Sequence, residues 1–153
     1  MEKIKIIIAD DHTMFLQGIV SLLENEDNIA ILGKAENGKG VFKIMENSIP
    51  NIILLDISMP EMDGIEVTKI IKQKHPAVKI LIVSTHSNTQ MIAKLIRMGV
   101  DGYLLKNAEK QELLHAICTI HKGGSYFCKE VEEKNDENNS KIKSENMVRE
   151  PFP

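Results

Sequence analysis

Apolar residues run almost without alternation through Ile4 to Ala9, Ile52 to Leu55 and Lys79 to Ser84, each run ending in a small or acidic polar residue. Unbroken runs of that length between turn signals predict strands buried on both faces, the central strands of a parallel sheet. Ile29 to Ala35 and Gly102 to Leu105 predict a partly exposed second strand and a short fifth one. The segments between them are apolar at helical spacing. Phe15, Ile19, Leu22 and Leu23 mark a helix over Thr13 to Asn25, with an Asp or Thr available to cap it; Val41, Ile44 and Met45 mark one over Gly38 to Asn47. Val67, Ile70 and Ile71 mark a third over Ile65 to Lys74, which Pro76 ends by forcing His75 out of the helical region. Met91, Ile92, Leu95 and Ile96 mark a fourth over Asn88 to Met98, closed by Gly99 as a left-handed cap. Leu113, Leu114, Ile117, Cys118 and His121 mark a fifth over Ala108 to Lys122, capped by Asn107 and stopped at Gly123-Gly124.

Five strands alternating with five helices through short connections predict an α/β sandwich, because parallel neighbours need right-handed crossovers. The doubly wound, flavodoxin-like (βα)5 order 2-1-3-4-5 fits this count and puts the apolar first, third and fourth strands in the middle. One domain is expected over residues 1–128. From Lys129 to Pro153 the chain turns to Glu, Lys, Asn and Ser, with Val131, Ile142, Met147, Val148 and Phe152 as its apolar residues outside proline. Such a segment buries too little surface to offset its ordering entropy and is expected to be a flexible charged linker or tail; a fraying extension of the fifth helix is the alternative.

Composition narrows the function. A chain of 153 residues with 42% hydrophobic positions holds one core, and a net charge of -3 provides no general attraction to DNA or an anionic membrane. Its apolar runs are too short to span a bilayer, and no secretory segment precedes the first strand. A cytoplasmic protein is expected, with Cys118 and Cys128 reduced and Cys118 packed as a small hydrophobe. The five histidines lack ligand-like spacing, which argues against a transition-metal site.

The fold prediction gathers the candidate chemistry. Asp10 and Asp11 follow the first strand, Asp56 the third, and Lys106 the fifth, while Ser84 ends the fourth, so all meet at one edge of the sheet, where such folds bind ligands. Three carboxylates about 5 Å apart repel by roughly 3 kcal/mol per pair at an effective dielectric near 20. They must hold a proton or a cation, and Lys106 is one charge against three. Mg2+, which takes one or two protein carboxylates with water and phosphate oxygens, answers the deficit. The edge therefore predicts a Mg2+ and phosphate site with a carboxylate in the attacking position.

The Asp10-Asp11 pair, Asp56 with Met59-Pro60-Glu-Met-Asp63-Gly64 behind it, Ser84, and Gly102-Tyr103-Leu-Leu-Lys106 together resemble the receiver domains of two-component response regulators. Asp10-Asp-His-Thr-Met-Phe15, Gly99-Val-Asp-Gly-Tyr-Leu-Leu-Lys106 and Gly123-Gly-Ser-Tyr-Phe127 further resemble the NarL/FixJ-like subgroup, whose output is a LuxR-type helix-turn-helix absent from these residues. The resemblance covers about Ile4 to Cys128. It implies that Asp56 is a nucleophile taking a phosphoryl group from a sensor histidine kinase. It further implies that Asp11, Asp56 and the Ser58 backbone carbonyl ligate Mg2+, with Asp10 acting directly or through water. Lys106 would hold a phosphoryl oxygen as a point charge, Ser84 would bond the same group, and Tyr103 would turn inward as a switch. A phosphorylation-dependent homodimer, and DNA reached only through an output domain, are also implied. Two places depart from the family pattern: Thr85-His86 after Ser84, expected to narrow access to the phosphoryl group, and Asn107-Ala-Glu109-Lys110, expected to start the fifth helix less firmly. A stand-alone receiver acting on protein partners is one alternative. A haloacid dehalogenase-like phosphatase is another, although it needs a second Asp two residues after its nucleophile, where Asp56 is followed by Ile57-Ser58. A structural cation bound at the acidic edge is the third.

Overall fold

The computed structural model describes residues 2–86, 88–128 and 131. Its elements run β1 (Ile4–Ala9), α1 (Thr13–Glu24), β2 (Ile29–Ala35), α2 (Gly38–Met45), β3 (Ile52–Leu55), α3 (Gly64–Lys74), β4 (Lys79–Ser84), α4 (Thr89–Met98), β5 (Gly102–Leu105), α5 (Lys110–His121) and β6 (Tyr126–Phe127). All strands pair in parallel, in the order β2-β1-β3-β4-β5-β6. The unalternating runs lie where double burial requires them: Ile52, Ile53 and Leu55 on β3 and Ile80, Leu81 and Ile82 on β4 are wholly inaccessible.

Register decides what meets at the sheet edge. Ala9 pairs with Leu55, so Asp10 and Asp56 are the next residues on adjacent strands. Ser84 pairs with Leu105, which makes Lys106 the first residue past β5. The ladder continues one step beyond the strands, with the Asp56 amide donating to the Ala9 carbonyl and the Lys106 amide to that of Ser84, both at 3.0 Å. Gly64 lets α3 begin directly against this edge. A Cβ there would run into the backbone of Asp56 and Ile57, while the Gly64 amide donates to the Ile57 carbonyl at 2.8 Å.

Gly99 and the stop before Pro76 follow the predicted chemistry, while the caps at Asn88 and Asp63 were not anticipated. Asn88 caps α4 by accepting from the Met91 amide, and Gly99 closes it at φ 101°. Asp63 caps α3 through the Glu66 amide at 2.9 Å. At two helix starts the structure differs. The fifth helix starts at Lys110, not Ala108, with Glu109 rather than Asn107 at the capping position and no side-chain cap bond. The Ala108 amide instead turns back to the Leu105 carbonyl at 3.0 Å, so residues 105–108 form a turn. At α1 neither Asp nor Thr caps; His12 occupies the position without a side-chain bond.

β6 extends the predicted order by one strand. Two residues are too short for any periodicity to announce, and the strand exists because β5 leaves an open edge. The Tyr126 amide donates to the Asp101 carbonyl at 3.0 Å, and the Cys128 amide to that of Tyr103 at 3.1 Å. Val131, counted above with the tail, is buried against the core. The rest of the expected tail, residues 129–130 and 132–153, lies outside the described residues. Cys118 and Cys128 are free thiols, the first half-buried and the second buried.

Candidate functional site

Among the described residues the buried polar side chains are Asp10, Asp56, Ser84 and Thr68. Thr68 is an α3 residue whose hydroxyl donates to the Gly64 carbonyl at 2.8 Å, a structural arrangement. The other three are the predicted strand-end residues, exposed by only 2%, 5% and 0% respectively. Each carboxylate has one oxygen tied locally. Asp10 Oδ1 accepts from the His12 amide and Asp56 Oδ1 from the Ile57 amide, both at 2.8 Å.

Their other oxygens share Lys106. Its Nζ lies 2.9 Å from Asp10 Oδ2 and 3.4 Å from Asp56 Oδ2. The same ammonium is 3.3 Å from His12 Nδ1 and stands 4.7 Å from the centroid of the Phe15 ring. Burial is the main force raising the Asp56 pKa above its ordinary 3.8, and the Asp10 carboxylate adds to it; Lys106 and the Ile57 amide pull the other way. For Lys106, burial disfavours the charge, but the bond to Asp10 and the field of Asp56 outweigh it and the pKa is raised.

Two buried carboxylates against one ammonium leave negative charge without compensation, and the exposed Asp11 adds more at the rim. Ligand atoms of Asp10, Asp11 and His12 lie within 4.8 Å of one another, so the edge offers a donor set for a metal ion. Oxygen donors and uncompensated charge suit a hard divalent cation. His12 was not anticipated as a member of that group. The signal was its place beside the Asp pair, but scattered histidines gave no ligand spacing to read.

Ser58 and Tyr103 meet at a third residue. The exposed Ser58 hydroxyl shares a hydrogen bond with His86 Nε2 at 3.0 Å. Ser84 Oγ accepts from the His86 amide at 3.1 Å, and the Tyr103 hydroxyl donates to the His86 carbonyl at 2.8 Å. Tyr103 is fully buried and points inward. Burial pushes its pKa up to about 12, with the Ser84 side chain acting in the opposite sense. Phe15 and His86 are the contributors that periodicity could not single out, since one counted as core and the other as a loop departure.

A family profile described as the response regulator receiver domain matches residues 6–118. The chain belongs to this receiver family. Over 125 residues the receiver is 34% identical to the transcriptional regulatory protein DegU of Brevibacillus brevis, a match covering 82% of this chain and 53% of that protein. It is 38% identical over 119 residues to the transcriptional regulatory protein YdfI of Bacillus subtilis strain 168, covering 78% and 55%. Its fold superposes with a TM-score of 0.83 on a LuxR-family two-component response regulator from Aurantimonas sp. SI85-9A1, at 26% identity over 91% of this chain and 99% of the other. The receiver therefore spans about half the length of these curated relatives. Its family is one of two-component signalling and transcription regulation, a signalling rather than a catalytic family. Among its described residues no helix is long and apolar enough to cross a membrane.

Proposed function

We propose that Asp56 accepts a phosphoryl group from the phosphohistidine of a sensor histidine kinase in the cytoplasm, and that the charge change switches an output. The observation that carries this reading is Lys106 Nζ held between Asp10 and Asp56 at the sheet edge. In the transfer, Asp56 Oδ2 forms the new O–P bond as the kinase's N–P bond breaks, and the histidine nitrogen keeps the electron pair. Asp56 Oδ1 stays anchored by the Ile57 amide, which fixes the direction of the attacking oxygen. Lys106 needs only a small movement to reach a phosphoryl oxygen, where it serves as a compact point charge. Ser84 accepts from the His86 amide yet keeps its own proton, which it donates to a second phosphoryl oxygen.

Asp10, Asp11, Asp56 and the Ser58 carbonyl would hold Mg2+, which supplies neutralisation of charge on the transferring group. Position and charge carry most of the chemistry of phosphoryl transfer, so this small set of residues is sufficient. Only weak self-phosphorylation and self-hydrolysis are expected of the domain by itself. Residues 1–128, with Val131 packed against them, act as the phosphoacceptor unit and the rest of 129–153 as a charged linker to an output domain through which transcription is regulated. Phosphorylation biases the chain toward a homodimer, with Ser84 and Tyr103 as the switch.

The test is incubation with a small acyl phosphate and Mg2+, followed by intact-mass measurement. One added phosphoryl group, lost in Asp56→Asn, is the expected result. Failure of the wild-type chain to gain mass at any Mg2+ concentration would overturn the reading.

A further inference from the structure

We infer that the His86 side chain is a positioning residue which holds Tyr103 in its buried, inward setting by tying the loop after β4 to the loop after β3 through Ser58. The Tyr103 hydroxyl finds its acceptor in the His86 carbonyl, a main-chain group of an exposed connection. A buried phenol depends on such a partner, because its hydroxyl is costly to leave unsatisfied. The acceptor is only as well placed as the loop that carries it. That loop is held at His86 in two ways: the amide donates to Ser84 Oγ at 3.1 Å, and the ring reaches Ser58 Oγ at 3.0 Å.

These anchors differ in what they depend on. Ser84 is the hydroxyl that the proposed phosphoryl group would recruit, whereas the link from ring to Ser58 requires no phosphate. Ser58 lies two residues past Asp56, so the bridge joins the loop leaving the phosphoacceptor to the loop leaving the switch serine. The inward setting of Tyr103 is therefore supported before any phosphoryl group arrives. This deepens the phosphoacceptor reading and rests on it for its signalling consequence, which is that part of the switched surface is pre-set in the unphosphorylated chain. The placement of Tyr103 itself can be observed without phosphate.

The chain has two tyrosines, so ring-labelled tyrosine NMR resolves Tyr103 once Tyr126→Phe has assigned the other. In unphosphorylated full chain, His86→Ala and Ser58→Ala should each raise the outward population of Tyr103 by about threefold to tenfold, the weight of one solvent-facing hydrogen bond. The double variant should do no more than either single one, and His86→Gln, which keeps a donor and an acceptor, should restore the inward signal. Both mutated side chains are exposed, so loss of the fold is not the expected effect. Unchanged Tyr103 signals in both single variants, or effects that simply add, would overturn the inference. Intact-mass measurement on the same samples separates the two readings: a wild-type chain that takes no phosphoryl group but keeps this NMR pattern rejects the phosphoacceptor reading and leaves the positioning role standing.

Discussion

Lys106 Nζ lies closer to Asp10, at 2.9 Å, than to the proposed phosphoacceptor Asp56, at 3.4 Å. The cation thus sits nearer the carboxylate that is not the proposed phosphoacceptor. It remains within reach of Asp56 and neutralises part of a buried acidic pair.

Removing that cation should be felt in two separate ways. Lys106→Ala leaves two buried carboxylates without their counter-charge and should cost about 3 kcal/mol of stability in metal-free buffer, with Mg2+ recovering part of it. The variant should still fold and still gain phosphate on Asp56, slowly, but phosphorylation should no longer change its association state. Denaturant unfolding with and without Mg2+, and light scattering after phosphorylation, measure the two effects. Unaltered phosphorylation-dependent association would show that the role given to Lys106 is wrong.

Asp56 should lower stability at neutral pH. Its pKa is raised on folding, so the folded chain holds the proton more tightly than the unfolded one does. Stability then falls as pH rises from 3.8, the ordinary value, through the higher folded value. Asp56→Asn should accordingly unfold at a measurably higher temperature than wild type at pH 7 without metal. The gap should close below the ordinary carboxylate pKa, where both side chains are neutral. Thermal melts across this pH range decide it, and equal melting temperatures at pH 7 would contradict the assignment.

Phe15 should matter to the rate rather than to the site. Its ring faces the Lys106 ammonium at 4.7 Å, a contact worth about 0.5–1 kcal/mol. Phe15→Leu keeps an apolar side chain on α1 but loses the ring face, and should slow phosphorylation by a small acyl phosphate about twofold to fivefold. Phe15→Tyr should not slow it. Timed intact-mass measurements compare the three chains at equal Mg2+.

Gly64→Ala tests the packing that holds the acidic edge. The added methyl meets the backbone of Asp56 and Ile57, just past β3, which is held by the Asp56 amide on the Ala9 carbonyl and the Gly64 amide on the Ile57 carbonyl. A loss of about 3 kcal/mol in urea unfolding is expected. A variant as stable as wild type would mean that α3 can draw back from the edge without cost.

The alternation of unbroken apolar runs with helical spacing made the five βα units legible in the sequence, whereas the sheet order was an inference from their count and from which strands are apolar. Parallel strands of known exit make neighbours of the residues at their ends, so the sequence alone brings Asp10, Asp56, Ser84 and Lys106 together. β6 was not legible, because Tyr126 and Phe127 form a strand only where β5 offers an edge. Nor was the start of α5, where a turn over residues 105–108 displaces the cap expected at Asn107.

By itself, the sequence determined the fold class and brought Asp10, Asp11, Asp56, Ser84 and Lys106 to the sheet edge, since periodicity records which face of an element is buried and parallel strands carry the residues at their ends to a common rim. Only the tertiary structure decided how those groups are partnered. Lys106 leans toward Asp10, His12 joins the Asp pair, and three contacts converge on His86. Those choices depend on side-chain rotamers and loop amides brought together from segments far apart in the chain, and no local pattern of polar and apolar residues encodes such distances.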